Sequence, residues 1–103
     1  METLSDKVRN KVSLFYTLEE FLNDKDEKMV RFISRKLPGD YESLLNLSLE
    51  QNRQDITQEI QKLKIYVDLL TDYVNKNSTK NLDEIAISCK KLPEVIKKIM
   101  SLI

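Results

Sequence analysis

One glycine and two prolines in 103 residues leave this chain very little with which to punctuate a β-sheet. An all-β domain needs a turn signal roughly every 8–12 residues, built mostly from Gly, Pro, Asn and Asp. Here Leu, Lys, Glu and Ile predominate, and apolar residues recur at threes and fours along the whole length, which is the period of a helix. The predicted fold is therefore all-α. The length permits one core and not two, so residues 1–103 read as a single domain. No internal repeat, low-complexity tract or Pro/Ser-rich linker divides it.

Local signals order the helices. Ser5 or Asp6 is placed to cap the first, and Thr17-Leu18-Glu19-Glu20 has the form of a capping box, which predicts a break or bend near Tyr16. Asp24 or Asp26 caps the next helix, with Met29, Phe32, Ile33, Leu37, Tyr41, Leu44, Leu45 and Ser48 facing inward and Pro38-Gly39 interrupting it, as a kink or as the joint of two abutting helices. Asn52 closes that segment. A second capping box, Asp55-Ile56-Thr57-Gln58, opens a helix running to about Val74.

Its buried seam is Ile56, Ile60, Leu63, Val67, Leu70 and Val74, widened by Tyr66, Leu69 and Tyr73. The opposite strip, Thr57, Gln61, Lys64, Asp68 and Thr71, faces solvent. Asn75 to Thr79 reads as a turn, and Leu82, Ile85, Ala86, Cys89 and Leu92 as the core face of a further helix. Pro93 then admits a new turn. Val95, Ile96, Ile99, Met100, Leu102 and Ile103 make an apolar last segment, whose ordinary role is to close the bundle and whose other role is a partner surface.

Several chemistries are excluded by composition. The chain has no histidine, so a Ser-His-Asp or Cys-His arrangement is ruled out, as are zinc sites of the usual His and Cys types. Cys89, the single cysteine, has no base partner and reads as a small buried hydrophobe; with no second cysteine, no intramolecular disulfide forms. A Gly-rich phosphate loop is impossible. The pairs Glu19-Glu20 and Asp26-Glu27 fit helix starts better than acid–base catalysis. The reading is of a non-enzyme with no cofactor and no metal.

Lys plus Arg and Asp plus Glu each total 17, a balance that argues against a partner bound by phosphate neutralisation, so no nucleic acid is expected. Acids concentrate early and Lys90, Lys91, Lys97 and Lys98 late, as solvated helix faces. Tyr16, Tyr41, Tyr66 and Tyr73 stand beside apolar residues at helical spacing and are expected in the core. No apolar run suits a membrane span or a leader, which predicts a cytoplasmic protein with no membrane partner.

The stretch Ile60-Gln61-Lys62-Leu63-Lys64-Ile65-Tyr66 resembles the phosphoacceptor segment of the histidine phosphotransfer (HPt) family, which usually reads Ala, His, any residue, Leu, Lys, Gly, Ser. Leu63 and Lys64 match. Gln61 stands where the family has its histidine, and Ile65 and Tyr66 replace the small residues. Phe15 to Leu22 followed by Asp24-Lys25-Asp26-Glu27 looks like the family's opening helix and acidic junction, and Met29 to Ile33, Leu37-Pro38 and Leu44-Leu45 fit the long helix that follows.

The resemblance implies an antiparallel four-helix bundle, here with a short additional N-terminal helix. It implies a module that binds a response-regulator receiver domain or a sensor histidine kinase without relaying phosphate, as a monomer or weak dimer. The partner-binding residues would be Gln61, Lys64, Thr57, Asp68 and Ile65. Two other readings stand beside it: an HPt domain whose histidine was replaced by glutamine by design, and a structural or assembly bundle acting by homo- or hetero-oligomerisation through its last apolar segment.

Overall fold

Helix α1 (Leu4–Asn23) runs for 20 residues without interruption. Thr3 is its cap: the Thr3 hydroxyl accepts the Asp6 amide while the Asp6 carboxylate accepts the Thr3 amide, a reciprocal box. This corrects two expectations, the cap at Ser5 or Asp6 and the break near Tyr16, and with the break goes the short additional N-terminal helix. Thr17 Oγ1 donates to the Ser13 carbonyl oxygen at 3.1 Å, so its hydroxyl is engaged with the helix already under way instead of starting a new one. Val8, Val12, Phe15, Leu18 and Leu22, spaced by threes and fours, are all buried.

The structure, a computed structural model, describes residues 3–75 and 80–103, and among these it contains seven helices and no strand. After α1 come α2 (Glu27–Ser34), α3 (Leu37–Glu50), α4 (Gln54–Gln61), α5 (Lys64–Val74), α6 (Leu82–Ser88) and α7 (Leu92–Ser101). The expected turn from Asn75 to Thr79 lies, beyond Asn75, outside the described residues.

Two junctions share one motif. At the end of α1 the Asp26 amide reaches the Phe21 carbonyl and the Lys25 amide the Leu22 carbonyl, with Lys25 at φ 56°. At the end of α3 the Arg53 amide reaches Ser48 and the Asn52 amide Leu49, with Asn52 at φ 54°. Both are Schellman closures with a non-glycine residue in the left-handed position. Asp26 then caps α2 by accepting the Met29 amide at 3.2 Å, and Asn81 caps α6 by accepting the Glu84 amide at 2.9 Å.

The prolines bend the chain without ending its course. A proline clashes with the carbonyl four residues back and offers it no donor. For Pro38 that carbonyl belongs to Ser34, where α2 stops; for Pro93 it belongs to Cys89, immediately past the end of α6. The connecting residues Arg35, Lys36 and Lys91 keep right-handed helical dihedrals, and tightened bonds such as Leu92 N–H to Cys89 O (3.0 Å) carry the backbone across.

A third bend, at Lys62 and Leu63, corrects the expectation of one unbroken helix to Val74. The amides of Lys62, Leu63 and Tyr66 bond three residues back instead of four. No Pro or Gly marks the place. Leu63 is fully buried there, and the two sides serve different neighbours: α4 packs on α3 and α7, α5 on α2 and α3. α1 lies against α2, α3, α6 and α7, which puts one apolar core among all seven helices. The radius of gyration, 13.5 Å, is that of a folded chain of this length.

The last segment closes this core. Leu92, Ile96 and Ile99 are buried, with Val95, Met100, Leu102 and Ile103 packed half-buried against them. Phe32, expected inside, is 49% exposed, and Val30 takes the inward position beside Ile33. Of the tyrosines, Tyr73 is buried and Tyr41 and Tyr66 are half-buried, whereas Tyr16 is 39% exposed, a correction to the expectation of core packing.

Candidate functional site

The bend between α4 and α5 shapes the surface on which most of the expected site residues lie. Gln61 is the last residue of α4; Lys64 and Ile65 open α5, and Asp68 follows one turn later. All four are exposed. Leu63, buried among them in sequence, anchors the bend to the core, and Lys62 Nζ lies 2.9 Å from Glu59 Oε1 on its outer side. Ile65, at 72% exposure, is a large apolar side chain held almost wholly in solvent by a well-packed helix.

Thr57 is not on this surface, which corrects its assignment to the exposed strip. It is buried, and its Oγ1 lies 2.8 Å from Ser48 Oγ and 2.9 Å from the Arg53 carbonyl oxygen. Ser48 sends its own proton to the Leu45 carbonyl at 2.8 Å, leaving its oxygen free to accept from Thr57. The pair ties α3 to α4, and among the described residues no buried side-chain nitrogen or oxygen lacks a hydrogen-bond partner. The Asp55-to-Gln58 capping box does not form either, because α4 already begins at Gln54. Helix α4 starts from Arg53 with no side-chain cap, and Asp55 is bound instead in a forked ion pair by Arg53, Nε to Oδ1 at 3.1 Å and Nη2 to Oδ2 at 2.9 Å.

Lys64 and Asp68 border a shallow cavity of about 330 Å³ against α3, with Pro38, Tyr41, Leu45 and Val67 supplying apolar wall and Glu42 a second acid. Burial and the Asp68 charge push the Tyr41 phenol above its ordinary pKa, so it remains a neutral hydroxyl in that wall. The surface thus alternates one cation, one large apolar side chain and acids over a few turns of helix.

A network that sequence patterning did not reveal joins α2 to α5. Arg31 Nε and Nη2 donate to Glu27 Oε1 at 3.1 and 2.9 Å, the Tyr73 hydroxyl donates to the same oxygen at 3.0 Å, and the Arg31 guanidinium lies 4.6 Å above the Tyr73 ring. The Glu27 carboxyl is held below its ordinary pKa chiefly by the bond from Arg31 and then by that from Tyr73. The Glu27–Arg31 spacing of four was legible; Tyr73, from another helix, was not. These contacts join α2 to the C-terminal part of α5.

Cys89 is buried as expected, and burial pushes its thiol up to about 11, keeping it protonated and inert. Among the described residues no three His, Cys, Asp or Glu side chains gather as metal ligands, and no helix is long and apolar enough to cross a membrane.

The chain matches no protein-family model, and comparison with curated proteins and with solved structures finds no match.

Proposed function

We propose that this protein is a docking module: a helical bundle of the HPt-like, four-helix kind that offers Gln61, Lys64, Ile65 and Asp68 to a protein partner and performs no chemistry of its own. The bends at Arg35–Lys36, Lys62–Leu63 and Cys89–Lys91 support the four-helix description, because they leave α2–α3, α4–α5 and α6–α7 as three bent runs that with α1 make four. The partner class is the one the resemblance implies, a response-regulator receiver domain or a histidine kinase in the cytoplasm.

One observation carries the reading. Ile65 stands 72% exposed in the middle of a polar strip, on a helix whose other large apolar residues are buried or half-buried in the core. An isolated exposed isoleucine is ordinary; one flanked by Lys64, Gln61 and Asp68 on a firmly held bend has the layout of an interface, an apolar centre inside a polar rim. Lys64 supplies a charge that steers an acidic partner and fixes register. Gln61, where the family has its phosphoacceptor, carries an amide that is no nucleophile, so docking occurs without transfer.

The test is gain of function. Gln61→His is introduced and the chain is exposed to phosphorylated receiver domains. Acid-labile label on the variant and none on the wild type supports the docking geometry; Lys64→Glu added to Gln61→His then removes the label. No label on Gln61→His, together with no binding of any receiver or kinase by the wild type, overturns the proposal.

The rival reading, assembly through the last helix, is disfavoured by the burial of Ile96 and Ile99 and the half-burial of Met100, Leu102 and Ile103, which fill this chain's own core.

A further inference from the structure

Helix α2 has two unlike faces. Val30, Ile33 and Ser34 are buried. At the complementary spacing, Lys28, Arg31, Phe32, Arg35 and the junction residue Lys36 form one outward stripe, with Arg31 half-buried and the others exposed. Phe32 sits in its middle, 49% exposed, with Lys36 Nζ 4.4 Å from its ring centroid.

Arg31 is neutralised by Glu27. Lys28, Arg35 and Lys36 make no ion pair among the described residues. A chain of zero net charge therefore concentrates uncompensated cations around one exposed aromatic, over a helical rise of about 12 Å. Arg35 and Lys36 stand at the C-terminal end of α2, where the helix dipole favours cations, whereas Lys28 stands in its first turn, where the dipole does not.

We propose that this stripe docks a short acidic segment of a protein partner. Carboxylates of the segment meet Lys28, Arg35 and Lys36, and an apolar side chain covers the side of Phe32 that Lys36 leaves open. The surface is distinct from the α4–α5 strip and does not rest on the function proposed for it.

The flanks select the occupant. Asp24, Asp26 and Glu27 precede the stripe and Asp40 and Glu42 follow it. A nucleic-acid backbone is longer than the stripe, and the acids that border it in sequence offer a further phosphate no partner, whereas a segment as short as the stripe needs none. One face of the Phe32 ring is covered by Lys36, which limits base stacking. A membrane surface is ill served as well, because the apolar face of α2 is buried in the core and only Phe32 is left to insert.

The test titrates the full chain, at low and high salt, against a fluorescent peptide of Asp and Glu around one leucine. The wild type binds with an affinity that falls as salt rises, Lys28→Glu with Arg35→Glu lowers that affinity about tenfold or more, and Phe32→Ala lowers it severalfold. Lys97→Glu with Lys98→Glu makes the same change in net charge on exposed positions of α7 and binds as the wild type does. Circular dichroism checks that each variant folds, and Lys28→Ala with Arg35→Ala stands in for any charge reversal that does not. Absence of binding by the wild type, equal losses in the two double Lys/Arg→Glu variants, or tighter binding of oligothymidylate or phosphatidylserine vesicles that the α2 variant abolishes would each overturn the proposal.

Discussion

The guanidinium of Arg53, in the turn between α3 and α4, donates through Nη2 to the carbonyl oxygen of Leu102, 2.8 Å away at the C-cap of α7. The same group is forked onto Asp55. One side chain thus caps the last helix, whose terminal carbonyls otherwise lack partners, and ties it to the start of α4. Replacing Arg53 with Lys keeps the charge but loses the rigid fork that serves both partners. Amide hydrogen exchange is expected to accelerate from Ile99 onward in Arg53→Lys, and further in Arg53→Ala, with the amides of α2 unchanged.

Asp55 should make stability depend on pH in the acid range. The bond from Arg53, then its backbone amide contacts, lower its carboxyl from an ordinary 3.8 to about 2. Because the folded value is the lower one, the stabilisation is fully present above the ordinary value and is lost as pH falls through about 2. Comparing urea midpoints of the wild type and Asp55→Asn across that window should show the wild type's advantage at neutral pH shrinking toward zero at its acid end.

The Ser48–Thr57 pair is buried between two helices, so removing one partner has a defined cost. Thr57→Val keeps the shape and loses the hydroxyl, and is expected to cost about 1 kcal/mol. Ser48→Ala with Thr57→Val should cost less than the sum of the two single changes, because no acceptor is then left stranded. Urea denaturation of the four proteins measures the coupling.

Gly39 occupies the first turn of α3 with a negative φ and nothing within 4 Å of where a Cβ would stand. No turn or close approach requires it. Gly39→Ala should raise stability by about 0.5–1 kcal/mol through the reduced freedom of the unfolded chain, read as a higher urea midpoint at unchanged slope.

These sites mark how far the sequence could be read. Helical class followed from spacing and from the scarcity of Gly and Pro, and Pro38 and Pro93 announced their bends because each disables a bond four residues back. The bend at Lys62–Leu63 was hidden, since it is set by which neighbours α4 and α5 must cover. Thr17 began one capping-box pattern, yet its hydroxyl bonds backward to a carbonyl four residues earlier, and Asp55 began another, yet it lies inside a helix that starts at Gln54 and is held by Arg53; a short motif does not reveal whether a helix is already running. For Gln61, Lys64 and Asp68 the helical wheel gave the exposure, whereas Ile65 was singled out by the resemblance alone. Phe32 misled because its apolar character was taken for burial, while Val30, Ile33 and Leu37 set the inward face.

The central claim is that a receiver domain or histidine kinase docks on the α4–α5 surface, and backbone amide chemical shifts of the labelled protein under titration with such a partner test it most directly. The account predicts saturable shifts concentrated on Gln61 to Asp68 and on Tyr41 and Leu45 across the cavity, abolished by Lys64→Glu, whose thermal stability stays within about 0.5 kcal/mol of the wild type as expected for an exposed position. Shifts confined to Ile99, Met100 and Leu102, or a titration in which no receiver or kinase moves any amide of α4 or α5, would contradict it.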